Sequence, residues 1–296
     1  MEKKYILTDD VIDFNGHTLH RIKAVRDFDC VKAGVLGGFI ESEKNLDHDG
    51  NAWVFGDARV SGDARVYGNA RVSGDARVSG NAMVSGDARV SDEAWMFGNA
   101  WVFGNAWVFG NARVYGNARV SGNARVFYDA RVFGNARVSD EAWVFGDARV
   151  SGNAMVFGNA RVSDEAWVFG DAKVFGNAWV YGNARVSGNA RVFYDARVFY
   201  DAWVSGNAMV SDDARVYGNA RVSGNADFAV ISGFGRVSRT TTFFRCKDNL
   251  VRCKCGCFYG TVDEFRSKVR ETHGNSKYAK EYLMIADLME LHFKED

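Results

Sequence analysis

Four cysteines lie within twelve residues near the carboxyl end of the chain. Cys253, Cys255 and Cys257 alternate with other residues, and Cys246 lies seven positions upstream of Cys253. On an extended strand, residues two apart point to the same side, so the three alternating thiols would share one face. Thiolates are preferred zinc ligands, and Cys246 would complete a tetrahedral set. Structural zinc more often uses Cys-X-X-Cys pairs, so buried cysteines that act as small apolar side chains are the alternative interpretation.

A second chemical signal is the regular placement of arginine and aromatic residues around a repeated valine. Between Gly50 and Phe228, the residue before the valine position is Arg seventeen times and Trp eight times. The residue after the valine position is aromatic sixteen times. Guanidinium groups and aromatic rings attract each other, and the same groups serve in protein–protein contacts and in the binding of flat, phosphorylated ligands.

These side chains are positioned by an unbroken hexapeptide repeat. Thirty units of the form Gly-(Asp/Asn)-Ala-X-Val-(Ser/Phe/Tyr) run from Gly50 to Phe228. In the Ala-X-Val segment, Ala and Val point to one side of an extended strand and X points to the other. The Gly-Asn or Gly-Asp step predicts a corner, because both residue types tolerate positive φ. A strict short period predicts one small structural unit that is stacked many times.

Three such sides predict a triangular coil of eighteen residues, so that the thirty units form about ten coils. We therefore predict an all-β solenoid, a triangular parallel β-helix, in which Ala and Val fill the interior and X faces water. A repetitive disordered segment is the alternative, but its apolar residues would not recur so faithfully.

If every third unit stacks on the same side, the aromatic residues concentrate on one side of the coil. The side that begins at Trp53 carries eleven aromatic residues, against seven and six on the other two. Three explanations for this exposed aromatic surface remain open: packing within the side, contact in a homo-oligomer with a trimer favoured, or a small nucleotide ligand. The residues expected to make contact are Trp53, Trp107, Trp143, Trp179, Arg71, Arg89, Arg125 and Arg161.

The segments that flank the repeat predict caps, because an open solenoid end exposes unpaired strand edges. Residues 1–49 are predicted to form an N-terminal β cap with entry coils, in which Leu36–Ile40 enters the helix. Residues 50–228 form the β-helix, and residues 229–296 form a C-terminal cap or an oligomerisation element.

The C-terminal segment predicts strands followed by two helices. Residues 240–257 have the composition of strands, with a turn at residues 247–249. Thr261 and Glu264 have the spacing of a capping box that opens a helix ending near Gly274. A second helix over residues 277–293 follows from apolar residues at helical spacing.

Composition narrows the possible partners and the location. The formal net charge is zero, which argues against a long nucleic-acid track. No apolar run is long enough to span a membrane, and the first four residues are not followed by a signal segment. We therefore expect a cytoplasmic protein with no membrane partner and no cofactor.

The repeat resembles the hexapeptide-repeat superfamily, whose members form left-handed parallel β-helices and include many trimeric acyltransferases. The entry segment IKAVRDFDCVKAGVLGGFIESEKNLDHDGNAWVFGDA and the tail CGCFYGTVDEFRSKVRETHG are similar to uncharacterised bacterial and prophage proteins of that group. The resemblance implies a left-handed coil. It also implies acyl transfer from an acyl-coenzyme A donor by a histidine base. The similarity to prophage proteins implies a phage origin, for which the expected location is the host cytoplasm.

None of the five histidines lies within the repeats, and no loop interrupts them. His48, directly before the first regular unit, is the one candidate base by position; a capping or exposed histidine is the alternative. The sequence therefore favours a non-catalytic binding or structural protein that uses its Arg and aromatic residues for contact. An acyltransferase and a nucleotide-sequestering counter-defence protein are the alternatives.

Overall fold

The computed structural model describes residues 2–294 of the chain, so that Met1, Glu295 and Asp296 of the predicted end segments lie outside the described residues. The fold contains two compact units, Met1–Asn159 and Ala160–Asp296. Both units contain the eighteen-residue coils that the hexapeptide period predicts, and the second also contains the C-terminal sheet and helices.

The first unit begins with an antiparallel hairpin of strands Tyr5–Phe14 and His17–Ala24. The second strand of the hairpin pairs antiparallel with Leu36–Ile40, and that strand pairs in parallel with Arg59–Val60. A short 3-10 helix, Glu43–Asn45, precedes the first complete coil. The prediction that Leu36–Ile40 leads the chain into the β-helix is therefore confirmed.

Three faces of parallel strands make up the coils of the first unit. We call them face 1, face 2 and face 3. Face 1 contains Trp53–Val54, Arg71–Val72, Arg89–Val90, Trp107–Val108, Arg125–Val126 and Trp143–Val144. Face 2 contains Arg59–Val60, Arg77–Val78, Trp95–Met96, Arg113–Val114, Arg131–Val132 and Arg149–Val150. Face 3 contains Arg65–Val66, Met83–Val84, Trp101–Val102, Arg119–Val120, Arg137–Val138 and Met155–Val156.

The second unit has strands of the same three kinds. Its face 1 strands are Arg161–Val162, Trp179–Tyr181, Arg197–Phe199 and Arg215–Val216. Its face 2 strands are Trp167–Val168, Arg185–Val186, Trp203–Val204 and Arg221–Val222. Its face 3 strands are Lys173–Val174, Arg191–Val192 and Met209–Val210.

The interior of the coils holds alanine and valine, as the alternation predicts. From Ala52 to Val222, every repeat Ala and every repeat Val, together with Met96, has no accessible surface. Strand residues eighteen positions apart pair in register, and the N–H groups of the residues before and after a strand valine donate to carbonyls seventeen positions further on. The Arg89 N–H donates to the Ala106 carbonyl at 2.9 Å, and the Ser91 N–H donates to the Val108 carbonyl at 3.0 Å. Within each unit, the stacked Ala and Val side chains therefore stabilise the coils through the coils next to them.

Each corner has a residue at positive φ, and the side chains next to it form ladders. Where Asp replaces the corner glycine, the backbone keeps a positive φ. The carboxylates of Asp92, Asp140 and Asp164 each accept the N–H of the corner glycine eighteen residues further on. The Asp92 carboxylate accepts from the Gly110 N–H and the Asp140 carboxylate from the Gly158 N–H, each at 3.1 Å. In the corners that lead into face 3, amide ladders join Asn81, Asn99, Asn117, Asn135 and Asn153 at 2.9–3.0 Å.

The thirtieth hexapeptide does not form a coil side, so the prediction is wrong at this end. Residues Asn225–Asp227 form a 3-10 helix, and Ala226 is exposed. Asp227 takes the place of the usual Arg or Trp. Its carboxylate accepts hydrogen bonds from the Ser223 N–H at 2.8 Å, the Ser223 hydroxyl at 2.6 Å and the Gly224 N–H at 3.0 Å. These hydrogen bonds stabilise a turn where the repeat would form an extended strand. They do so because the Ser223 and Gly224 N–H groups donate to Asp227 and are not available for hydrogen bonds between coils.

A four-stranded antiparallel sheet and two helices complete the second unit. The strands are Phe228–Phe234, Arg239–Arg245, Val251–Cys255 and Phe258–Thr261. Helix α1 spans Val262–His273, and helix α2 spans Lys277–His292.

The predicted helices and the predicted turn are confirmed. Helix α1 begins with the predicted capping box, in which the Thr261 hydroxyl accepts from the Glu264 N–H at 3.3 Å and the Glu264 carboxylate accepts from the Thr261 N–H at 2.8 Å. The helices pack on the sheet through a core that includes Phe243, Phe265 and Tyr282. The fold is a β-solenoid of about ten turns of eighteen residues with this C-terminal addition. The left hand of the coil stays a prediction of the resemblance.

Candidate functional site

The predicted contact residues of face 1 form a cation–π ladder in the first unit. The Arg125 guanidinium lies 5.2 Å from the Trp107 ring and 5.1 Å from the Trp143 ring, so that the two indoles enclose it. The Arg89 guanidinium lies over the Trp107 ring at 4.8 Å. Parallel pairing sets this geometry, because it places Arg89, Trp107, Arg125 and Trp143 at the same position in successive coils.

Beside this ladder runs a column of phenylalanine rings. Phe109, Phe127 and Phe145 stack face to face, with centroid distances of 4.9 and 5.1 Å and interplanar angles of 0° and 4°. The spacing is that of neighbouring strands, about 4.8 Å. We call the set of Arg89, Trp107, Arg125 and Trp143, with these three rings, the face 1 ladder.

The guanidinium groups of the face 1 ladder have N–H groups that are available to a partner. Arg89 and Arg125 are exposed, and in residues 2–294 neither guanidinium has a carboxylate within ion-pair distance. Trp107 is 37 % exposed. Because the rings cover the guanidinium faces and leave the N–H groups along the edge free, the ladder presents aromatic edges and hydrogen-bond donors together.

Trp53 is not part of this exposed surface, and its predicted contact role is wrong. The side chain points outward from the coil as expected, but it has no accessible surface. The Phe28 ring lies 5.3 Å from it and the Tyr5 ring 6.1 Å from it, both edge-on. The N-terminal residues cover Trp53 because an open first coil would otherwise expose its strand edge and a large indole.

The other predicted contact residues differ in their surroundings. The Arg71 guanidinium donates to the Asp29 carboxylate at 2.7 Å, so the N-terminal cap neutralises it. Trp179 lies in the second unit, half-buried, with the Arg161 guanidinium over its ring at 5.8 Å and Arg197 at 6.0 Å. The ladder pattern therefore recurs in the second unit with longer distances.

His48 packs within the N-terminal cap, where its contacts differ from those of a general base. Its ring stacks on the Tyr5 ring at 4.3 Å, and its side chain is only 17 % exposed. Nδ1 accepts the Lys4 N–H at 3.2 Å, and Nε2 lies 3.6 Å from the Glu43 carboxylate. Because Nδ1 already accepts a hydrogen bond and Nε2 is buried, neither nitrogen is placed to remove a proton from a substrate.

The four clustered cysteines do not converge on one point, so the zinc hypothesis is wrong. The Cys253 thiol is buried in the core between the sheet and the helices, where desolvation raises its pKa. Cys246 forms a backbone bridge with Ala220, and its thiol lies near Arg252 and Tyr259 instead. Successive residues of a strand face opposite sides of a sheet, and by this alternation the Cys246 and Cys253 thiols lie on opposite sides. Within residues 2–294, no group of three His, Cys, Asp or Glu side chains has the arrangement of a metal site.

One cleft that the sequence analysis did not find lies in the second unit, between the antiparallel sheet and helix α1. Its cavity of about 520 Å³ is lined by Arg236, Arg239, Lys268, His273 and a set of apolar residues. These basic residues come from a turn, a strand and a helix, and they share no sequence period. A pattern-based search therefore had no signal for this cleft.

Comparison with known proteins shows a similarity for parts of the repeat. Six segments match the family model described as the YdcK beta solenoid repeat; they are residues 64–78, 76–92, 130–146, 148–164, 178–194 and 214–226. No curated protein matches the chain. No helix among the described residues is long and apolar enough to cross a membrane. The chain is thus a β-solenoid protein, and six of its segments are similar to the YdcK beta solenoid repeat.

Proposed function

We propose that this chain is a non-catalytic β-solenoid binding protein, and that the face 1 ladder is its contact surface. The observation that carries the proposal is the enclosure of the exposed Arg125 between Trp107 and Trp143. Aromatic residues and arginine are enriched at protein interfaces and supply most of their binding energy. Because stacking already orders these side chains, little conformational entropy remains to be lost when a partner binds.

The occupant that we propose is a second copy of this chain. The formal net charge is zero, so two copies do not repel each other. Exposed acidic residues at the corners, such as Asp87 and Glu141, offer carboxylates to the open guanidinium edges of another copy. The ladder is also broad, and soluble monomers rarely expose a contiguous aromatic surface. The trimer implied by the superfamily resemblance is our predicted stoichiometry.

The face 1 ladder suits a nucleotide less well than a protein surface. The Trp107 ring has Arg89 from the preceding coil and Arg125 from the following coil over it. A base that stacked on this ring would first have to displace a guanidinium and lose its cation–π energy. The contacts of His48 likewise support a packing role over acyl transfer. From the sequence and its resemblance to prophage proteins, we also propose a cytoplasmic location and a phage or prophage origin.

The experiment compares two tryptophans that differ in face but not in exposure. Trp107 on face 1 is 37 % exposed and Trp101 on face 3 is 38 % exposed, and both occupy the X position of their units. Sedimentation velocity and light scattering would be measured for the wild type, Trp107→Ala and Trp101→Ala at equal concentrations. We expect an oligomeric wild type, weakened association of Trp107→Ala, and no change in Trp101→Ala.

A monomeric wild type across the concentration range would remove the homo-oligomer. Equal weakening by both substitutions would show that the effect is a general loss of apolar surface. Circular dichroism of each variant checks that the solenoid is intact, because an unfolded variant would also fail to associate.

A further inference from the structure

The cleft beside helix α1 has the size and walls of a ligand site. Its volume of about 520 Å³ falls within the range typical of sites for small organic molecules. The apolar wall comes from the sheet and the helices, with Phe258, Phe265, Val269 and Tyr282 among its residues. The Tyr282 ring is fixed by stacking with His273 at 5.8 Å and by donation from its hydroxyl to the Phe234 carbonyl at 3.3 Å.

The polar side of the cleft is cationic. Arg236, Arg239 and Lys268 line it, and no aspartate or glutamate does so. Through residues 2–294, neither Arg236 nor Arg239 has an ion-pair partner. The Arg239 side chain lies across Gly256, where a Cβ would collide with its guanidinium. The Arg239 guanidinium therefore lies close to the Gly256 backbone at the cleft, without a counter-ion among the described residues.

The acidic residues nearby are already engaged. The Glu271 carboxylate accepts from the Lys268 ammonium at 3.0 Å. The Glu281 carboxylate accepts from the Gly235 N–H at 3.0 Å and lies 3.5 Å from the Lys277 ammonium. Two unpaired guanidinium groups beside an apolar wall thus remain without an internal anion.

We propose that this cleft binds a small organic anion, in which a carboxylate or phosphate group is attached to a flat apolar body. Guanidinium groups bind both kinds of anion through paired N–H donors. The aromatic wall would contact the apolar body and exclude water around the ion pair, which strengthens it. This site is separate from the face 1 ladder, and its ligand chemistry does not depend on the proposed oligomer.

The test uses an aromatic anion as the probe. 8-Anilinonaphthalene-1-sulfonate is titrated into the full chain and followed by fluorescence, with the uncharged N-phenyl-1-naphthylamine as the comparison probe. Arg239→Gln and the double variant Arg236→Gln/Arg239→Gln remove cleft charges. Arg270→Gln is the matched control, because Arg270 is exposed on α1 and does not line the cleft.

We expect saturable binding of the anionic probe and about tenfold weaker binding by Arg239→Gln, the change typical of one lost charge-assisted hydrogen bond. Arg270→Gln should bind as the wild type does, and the uncharged probe should not distinguish the variants. Displacement of the bound probe by benzoate or by phenyl phosphate then tells which anionic group the cleft prefers.

Cysteine alkylation gives an independent measurement of where the probe binds. Cys257 is exposed and lines the cleft, whereas Cys30 is exposed in the first unit. Peptide mapping after iodoacetamide treatment should show that the anionic probe slows alkylation of Cys257 and leaves Cys30 unchanged. No saturable binding, equal loss in Arg239→Gln and Arg270→Gln, or no protection of Cys257 would each overturn the proposal.

Discussion

The corners of the solenoid allow a sharp test of how the coils are packed. Gly122 and Gly56 both have positive φ, +66° and +60°, so an alanine at either position enters the same unfavourable region. The space around them differs. A Cβ at Gly122 would lie 2.8 Å from the Asp140 nitrogen and 3.0 Å from its Cα and carbonyl oxygen. A Cβ at Gly56 would meet nothing nearer than the Gly74 carbonyl oxygen at 3.7 Å.

The expected losses in the free energy of unfolding follow from the backbone conformation and from these distances. A left-handed backbone conformation costs an L-residue about 1–2 kcal/mol. Alanine also lowers the conformational entropy of the unfolded chain relative to glycine, which offsets about 0.4–1 kcal/mol of that cost. Gly56→Ala should therefore lower the free energy of unfolding by about 1 kcal/mol or less. Gly122→Ala adds a contact with backbone that cannot rotate away, for which overpacking costs about 1–3 kcal/mol more. We expect Gly122→Ala to be the more destabilising by at least about 1 kcal/mol.

The assay is urea unfolding followed by circular dichroism, with the free energy of unfolding extrapolated to water for each variant. Equal m-values are required, because a change in slope would indicate that one end of the solenoid unfolds separately. Equal destabilisation by the two substitutions, or a larger effect of Gly56→Ala, would refute the claim that distance between stacked corners limits the side chain.

Three further predictions concern single side chains. Asp140→Ala should lower the free energy of unfolding by about 1 kcal/mol, because the Gly158 N–H loses its acceptor; urea unfolding beside wild type checks this, and no change would contradict it. Trp53→Ala should cost about 3–5 kcal/mol because the indole is fully buried, whereas Trp107→Ala should cost about 1 kcal/mol or less. Similar unfolding midpoints for these two variants would show that the N-terminal cap does not cover Trp53. Burial lowers the pKa of Lys4 to about 8 from 10.5, with Asp47 and Asp49 opposing it. Between these pH values the unfolded chain binds more protons, so the stability of the wild type relative to Lys4→Met should rise with pH, by at most about 3 kcal/mol. A pH-independent difference would contradict it.

The coils could be predicted in detail because each residue's environment repeats. The positions of Ala124 and Val126 inside, and of Arg125 outside, follow from strand alternation alone. The stacking of Trp107, Arg125 and Trp143 follows from a period of six and a coil of eighteen residues. The same reasoning failed at Asp227, where a side chain bonded to local backbone donors and ended the last coil early.

The amino-acid sequence by itself determined the solenoid, its inward and outward positions, and the ladder on face 1, because a strict period makes each contact local to neighbouring coils. Only the tertiary structure decided that Trp53 is covered by Tyr5 and Phe28, and that Cys246 and Cys253 face different sides. It also decided that Arg239 and Lys268 line one cleft. These contacts join residues that are far apart in a chain segment without periodicity, so their positions depend on how the caps fold.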